Sequence, residues 1–500
     1  MITLGLVDSV DDNGVYVTMP GARGVLRGPY RCVNDVAVGS SVLIEQTDDG
    51  EQVVVGSVTA PPRSGFHNIR DYGAVGDGAT DDSAAIQSAL DAASAAHATV
   101  VVPPGTYRVL STLNVGSDTT IVGTGTIDAV IPGDENPVFW IHADDVCIEG
   151  ISVVGNKAEY AEVTEFKHGF SICSSNRVTL RDVTTTDNKG DGVLISAGEV
   201  IGSGEGDPST AVVLENVVSE YNHRQGLSIV AGVDVRVLGG SFSYTSGTLP
   251  QSGIDIEPDN TDHSVEAISI IGVSTVSNAG SGILIALRDA DNHAGITISG
   301  GRSADNDGHG VGVLSNAARS IVVENMVVEN NVGGVVCYNV DLYGMRILNN
   351  LIRNNSQPGV WIAYDDGAPA SCEGLAVVGN TILDNYTYGL LALISGPIVT
   401  AYNRIGNTGG GTYTQTYGIY TQYVTAETHL GNELTGNTTA GASYGGTASG
   451  RTVVGPEGVG FFGATPAAKQ TVTGSRGGNA ALASLLTGLA NLGLITDSSS

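Results

Sequence analysis

The sequence predicts an all-β chain wound as a solenoid, a stack of short β coils. Three observations predict it. Strands of the form Gly-β-branched-x-β-branched recur from the middle of the chain onward. Gly169, Gly192, Gly226, Gly253, Gly282, Gly310, Gly334, Gly359, Gly389 and Gly418 open them, at steps of 23 to 34 residues. A period of that length without a helical pattern marks stacked units, each burying its apolar face on the next. Next, 70 of the 500 residues are glycine, about twice the usual share of roughly 7%. No Gly-X-Y period accompanies them, which excludes collagen, so they are expected at tight corners between strands. Finally, Asn188, Asn222, Asn278, Asn306, Asn330, Asn354 and Asn385 each precede a strand glycine by a few residues. Stacked asparagines bond to one another and to corner backbone, so these are predicted to form a structural ladder. The apolar share of 41% with only 5% aromatics fits a thin core of Val, Ile and Leu.

Residues 1–60 alternate in GVYVTM, SVLIEQ and EQVVVGSV, with Asp-Asp-Asn-Gly and Asp-Asp-Gly turns between them. That pattern predicts a small five-strand, OB-like β-barrel. The order of its strands and turns resembles the oligonucleotide-fold-like barrels at the attachment end of phage tail and baseplate proteins. Pro61-Pro62-Arg63-Ser64-Gly65 reads as a linker. The linker and an opening segment of the solenoid occupy 61–110, the solenoid itself 111–445.

The opening segment holds NIRDYGAVGDGATDDSAAIQSALDAA at 68–93 and TVVVPPGTYRV at 99–109: strand, glycine-rich loop, helix, strand. Asp81 or Asp82 can cap the helix. Ile86 and Leu90 lie on one face, so the helix can cover the open end of the coils. The pair DYGAVGDGATDDSAAIQ…VPPGTY resembles the opening motif of pectate-lyase-like proteins over roughly residues 66–440. The resemblance implies a right-handed parallel β-helix. It implies the reaction only weakly, because lyases, hydrolases, epimerases and phage tailspikes share that fold.

From 446 to 500 the style changes. Ala480, Leu482, Leu485, Leu486, Leu489 and Leu492 make a short helix too apolar to stand alone. The segment resembles the C-terminal tip of phage tail fibres and minor tail proteins, and such tips trimerise. A homotrimer is therefore expected, with the front barrel attached to other tail or baseplate proteins.

Chemistry is sought where side chains alternate outward along a strand. In GIDIEP, Ile254 and Ile256 are expected inside, and Asp255 and Glu257 in solvent. Such a pair suits general acid and base work on a glycosidic bond. One coil earlier lie His223, Arg224 and Gln225; two coils earlier, Lys189 and Asp191; later, Arg288 and His309. Coils stack about 4.8 Å apart, so these groups are expected to share one groove. Asp255, Glu257, His223 and Arg224 are the catalytic candidates. Lys189, Asp191, Gln225, Arg288 and His309 are candidates for binding substrate. Tyr338, Trp361 and Tyr364, at outward positions further on, offer a platform for sugar rings. The stretch HRQGLSI…GTLPQSGIDIEP resembles bacterial and phage β-helix proteins active on polysaccharide. Gly308-His309-Gly310 is similar to the histidine motif of polygalacturonases, whose Asn-Thr-Asp and Asp-Asp motifs are not at matching places.

Two mechanisms compete: hydrolysis by Asp255 and Glu257, or β-elimination from a uronate with His223, Arg224 or Lys189 as base. No cofactor is required, although Asp191, Asp255 and Glu257 could hold calcium. Cys32, Cys147, Cys173, Cys337 and Cys372 show no metal spacing. A net charge of −30, with 22 basic residues, argues against nucleic acid. No run of 18 apolar residues exists, so membrane insertion is not expected, and MITLGLVDSVDDNG lacks signal-peptide features. The expected function is a virion tailspike or minor tail protein, acting outside the host cell. It would bind and depolymerise a host surface polysaccharide as glycosidase or lyase. The alternatives are a non-catalytic glycan-binding adhesin of the virion tail and a free enzyme of pectate lyase or epimerase type.

Overall fold

The computed structural model describes residues 2–11, 14–18, 26–32, 41–46, 52–57, 65–133, 136–160, 165–198, 206–287, 293–314, 317–364, 369–445, 450–455, 458–461, 470–491 and 495–499. Two compact units divide the chain, Met1–His309 and Gly310–Ser500.

The first unit begins with a closed barrel. Its strands run in the order Ile2–Asp11, Gly14–Thr18, Leu26–Cys32, Gln52–Ser57 and Ser41–Gln46. Residues 61–64 of the expected linker lie outside the described residues. The helix Ser83–Ala96 then buries Ile86, Ala89, Leu90 and Ala93, the three-to-four spacing of an amphipathic face. Asp81 does the local capping work: its carboxylate accepts the Ser83 amide at 3.0 Å and the Ser83 hydroxyl at 2.5 Å. Asp82 turns away to accept the amides of Val75 and Gly76.

The coils that follow form a parallel β-solenoid, wound in register on three faces. One face carries Phe139–Ile141, Phe170–Cys173, Val193–Ser196, Leu227–Ile229, Ile254–Ile256 and Ile283–Ile285, each paired in parallel with the next. The second face runs from Phe66–Asn68 to His293–Ser299, and the third from Asp77–Asp81 to Arg302–Ala304. Alternation puts Phe170, Val193, Leu227, Ile254 and Ile283 fully inside. Each such side chain contributes about 1.5–3 kcal/mol by leaving water.

The repeat glycines have a reason other than the corner role expected of them. None of Gly169, Gly192, Gly226 and Gly253 has a left-handed φ. A Cβ on Gly169 would stand 2.7 Å from the Gly192 carbonyl oxygen, one on Gly192 2.8 Å from that of Gly226, and one on Gly226 2.5 Å from that of Gly253. Successive coils touch backbone to backbone here, and only glycine permits it.

The asparagine ladder is real but interrupted in the first unit. Asn188 Nδ2 donates to Asn222 Oδ1 at 2.8 Å and Asn278 Nδ2 to Asn306 Oδ1 at 2.9 Å. Thr245 takes the intervening place and donates its hydroxyl to Asn278 Oδ1.

The second unit repeats the three-faced winding. Gly333–Tyr338, Val360–Ala363, Thr387–Ser395 and Gln415–Gln422 pair in parallel on one face. Here the ladder residues are Asn331, Asn355, Asn385 and Gln415, so the expected Asn330 and Asn354 are off by one. Those two adopt left-handed φ of 58° and 55° at the corner itself. A second ladder, unforeseen, joins Asn350, Asn380, Asn403 and Asn432. Beyond the coils, Gln470–Gly474 and Ile495–Ser499 pair in parallel, and Ala480–Asn491 is helical. Leu482 and Leu485 of that helix are exposed; Leu492 lies outside the described residues.

Candidate functional site

The residue immediately before each repeat glycine forms a column. His168, Asp191, Gln225, Ser252, Ser281 and His309 occupy it, tied by amide-to-carbonyl bonds from each following glycine to the next coil. Coil spacing sets its rise at about 4.8 Å, and the stacked glycines hold it tightly.

Asp191 is the hub. It is fully buried, yet its carboxylate lies 3.2 Å from Arg224 Nη1 and 3.3 Å from His168 Nδ1, and accepts the Gln225 amide at 3.0 Å. Burial pushes its pKa up, but Arg224 first and then His168 more than offset this, so it is held below the ordinary aspartate value. His168 Nδ1 also lies 3.0 Å from the Asp191 amide. A protonated Nδ1 donates to the carboxylate; an unprotonated one accepts the amide. Both forms of the imidazole therefore have a partner.

Arg224 stands between Asp191 and Glu165, whose Oε2 is 3.5 Å from its Nε. Burial opposes its charge, but Asp191 and then Glu165 raise its pKa. Its Nε has no hydrogen bond, although buried. Arg224, His168 and Glu165 line a cleft with Trp140, Phe166 and Ser171. Phe166 is 42% exposed and meets His168 edge to face. An aromatic wall beside a cation and an imidazole can hold a sugar ring and an anion together.

Asp255 corrects the sequence reading. Alternation does turn it outward, in register with Ser228 and Leu284. It is nevertheless 1% exposed, not in solvent, because neighbouring side chains cover it. Gln225 Nε2 donates to its Oδ2 at 2.9 Å, and its Oδ1 is unbonded. Burial, then the nearby Glu257, push its pKa from 3.8 up to about 8. Glu257 is half-buried. Asp255 Oδ1, Gln225 Oε1 and Ser228 Oγ are all buried without a hydrogen bond, on residues that are bonded to Asp255 or in register with it.

The expected single groove is divided. Arg224 and Asp191 stand together, but Asp191 and Gln225 have no exposed surface with which to bind substrate and instead position Arg224, His168 and Asp255. His223 belongs to a different group. Burial, then Lys189 and Lys157, lower its pKa, and its ring fills the space beside Gly247. His309 shares the column, but Ser252 and Ser281 separate it from Gln225. Burial lowers its pKa, and its Nδ1 is unbonded. Arg288 lies outside the described residues. In the second unit, Tyr338 and Trp361 meet edge to face at 5.2 Å, and the Tyr364 hydroxyl donates to Asp341. His168, Glu165, Trp140 and Phe166 went unnoticed in the sequence. The signal for His168 was its place before Gly169, the place Asp191 and Gln225 hold before theirs.

Calcium does not fit these residues. Asp191 is already committed to Arg224, His168 and an amide, which leaves it no free oxygen face for a cation. Among the described residues, no three His, Cys, Asp or Glu side chains are grouped to hold a metal.

Residues 66–232 match the family model for rhamnogalacturonase A/epimerase, pectate lyase-like, a span that contains His168, Asp191, Arg224 and Gln225. The chain is similar to mannuronan C5-epimerase AlgE5 of Azotobacter vinelandii, 27% identical over 65% of this chain and 34% of that protein. It thus spans about a third of that relative's length. The solved A-module of Azotobacter vinelandii mannuronan C-5 epimerase AlgE4 superposes with a TM-score of 0.53 at 20% identity, over 78% of this chain and all of that one. Gene product 12 of bacteriophage phi29 gives 0.51 at 15% identity, over 82% of this chain and 60% of that one. Residues 66–232 are thus similar to a pectate-lyase-like domain, and the fold is a parallel β-helix.

Proposed function

We propose that this protein acts on a polysaccharide bearing uronate sugars, by removing the proton at C5 next to the carboxylate. The observation that carries the reading is Asp191, one buried carboxylate holding a guanidinium and an imidazole on the wall of an aromatic-lined cleft. Arg224 pairs with the sugar carboxylate and stabilises the charge that develops on it. His168 is the base that takes the C5 proton, at Nε2, in the tautomer whose Nδ1 proton faces the Asp191 carboxylate at 3.3 Å. In the tautomer whose Nδ1 accepts the Asp191 amide, Nε2 carries the proton and donates instead. The C5–H electrons then either form the C4=C5 bond as the C4–O4 bond breaks and O4 takes the proton back from the His168 imidazolium, or stay at C5 and take a proton from water on the opposite face, His168 returning its own to solvent. The first outcome is depolymerisation by a lyase, the second epimerisation. Hydrolysis by Asp255 and Glu257 has less support, since Asp255 does not reach the cleft.

The setting that fits the ends of the chain is a virion tail, with the barrel attached to other tail proteins and the molecule acting at the host surface as a homotrimer. The exposed Leu482 and Leu485 of the last helix support a trimer by lacking cover within one chain.

Incubation with polymannuronate and with polygalacturonate tests the chemistry. Unsaturated uronate ends seen by ultraviolet absorbance, or inverted C5 centres seen by proton NMR, are expected. Either should vanish in Arg224→Ala and His168→Ala. New reducing ends without unsaturation would replace this reading with hydrolysis, and binding without any product would replace it with an adhesin.

A further inference from the structure

Arg224 lies between two carboxylates of unequal freedom. Asp191 is fully buried, whereas Glu165 keeps half of its side chain in water. They also hold the guanidinium differently. Asp191 accepts from Nη1, and among the described residues Arg224 makes side-chain hydrogen bonds through that nitrogen alone. Glu165 stands 3.5 Å from Nε, at ion-pair distance, yet Nε is buried and unbonded. Two other arginines show what the Nε–Nη2 edge does with a carboxylate that stays. Arg177 binds Asp145 through both atoms at 2.6 Å, and Arg236 binds Asp234 through both at 3.0 and 3.1 Å. A planar two-point bond of this kind is the strong form of the pair. At Arg224 that edge holds a carboxylate without bonding it. The Glu165 backbone, by contrast, is fixed. A Cβ on Gly190 would stand 2.8 Å from the Glu165 carbonyl oxygen, while the Gly190 amide donates to the Lys167 carbonyl and the Gly190 carbonyl accepts the Arg224 amide. It is the Glu165 side chain that has room to leave, into water.

We infer that Glu165 is a resident competitor for the sugar carboxylate, resting against the open edge of Arg224 in the empty cleft and returning there to displace the product. The inference rests on the uronate reading of the cleft and adds how that site empties. An arriving uronate makes two charge-assisted bonds where Glu165 makes none, and Glu165 regains its full hydration, so the exchange runs forward. Elimination and epimerisation both leave the carboxylate on the sugar, so the product keeps the substrate's grip on Arg224. Because the edge is open in only part of the molecules, the apparent affinity for both falls by that fraction. An effect that weakens substrate and transition state alike raises KM and leaves kcat.

Glu165→Gln keeps the size of the side chain and removes its charge. With the full chain acting on polymannuronate and on polygalacturonate, its KM should fall about 2- to 10-fold, as for removing a competing, half-exposed ion pair. The inhibition constant for added product should fall by the same factor, with kcat no higher than in the wild type. Glu165→Asp, which keeps the charge, should stay nearer the wild type on both. A damaged fold loosens binding and does not tighten it, so misfolding cannot imitate this result. If the wild type converts a polyuronate but Glu165→Gln leaves KM unchanged or raises it, the competitor falls and the cleft reading stands. A large loss of kcat in Glu165→Gln would also overturn it, making Glu165 a group in the chemistry. If the wild type binds no polyuronate, both fall.

Discussion

The polar ladders of the two units differ. In the second unit two asparagine ladders run without a break, through Asn331, Asn355, Asn385 and Gln415, and through Asn350, Asn380, Asn403 and Asn432. Every rung bonds to the next. In the first unit the ladder is broken at Thr245, and the column before the repeat glycines carries His168, Asp191 and Gln225 with several buried atoms unbonded. The regular ladders are scaffold; the column departs from that regularity by carrying charged and imidazole side chains in place of amides.

Four substitutions break or sharpen that contrast. Arg224→Ala has the largest effect. It should lower kcat/KM on a polyuronate about 100- to 1,000-fold, as for a lost charge-stabilising donor, and also cost about 3–5 kcal/mol in a urea melt, because Asp191 stays buried without its main partner. A variant that keeps its rate per folded molecule would make the cluster scaffold. Asn355→Ala should affect stability alone. It strips a buried acceptor from the Asn331 amide and side chain, and a donor from Asn385. It should cost about 2–4 kcal/mol by urea denaturation, at roughly 1–3 kcal/mol for each buried group left unpaired, while the rate per folded molecule is unchanged.

Asp255→Asn reports on pH. The folded protein holds the Asp255 proton up to about pH 8, whereas the unfolded chain releases it near 3.8. Across that window the folded state binds more protons than the unfolded state, so this group's contribution to stability falls as pH rises. The asparagine variant should flatten the decline in urea midpoint over that range; an unchanged slope would mean that Asp255 titrates normally. Smallest is Tyr364→Phe, which loses the bond to Asp341 Oδ1 and should cost about 0.5–1.5 kcal/mol, with no change in rate.

The winding was legible because glycine and the β-branched residues mark it directly. The glycines named the right positions for the wrong reason: a close approach of backbones leaves the same sequence mark as a corner. Asn330 and Asn354 were misread because Asn330-Asn331 and Asn354-Asn355 are adjacent pairs, one member at the corner and one in the ladder, and sequence does not separate them. Asp255 could be placed on the outer face by alternation, but its cover depends on the coils on either side. The separation of His223 from Arg224 follows from how a turn bends between neighbouring residues, which residue order does not encode.

Asp191 braces a guanidinium and an imidazole from a single spot inside the wall. Neither neighbour can be displaced without disturbing the other, so a substitution at either is felt at both.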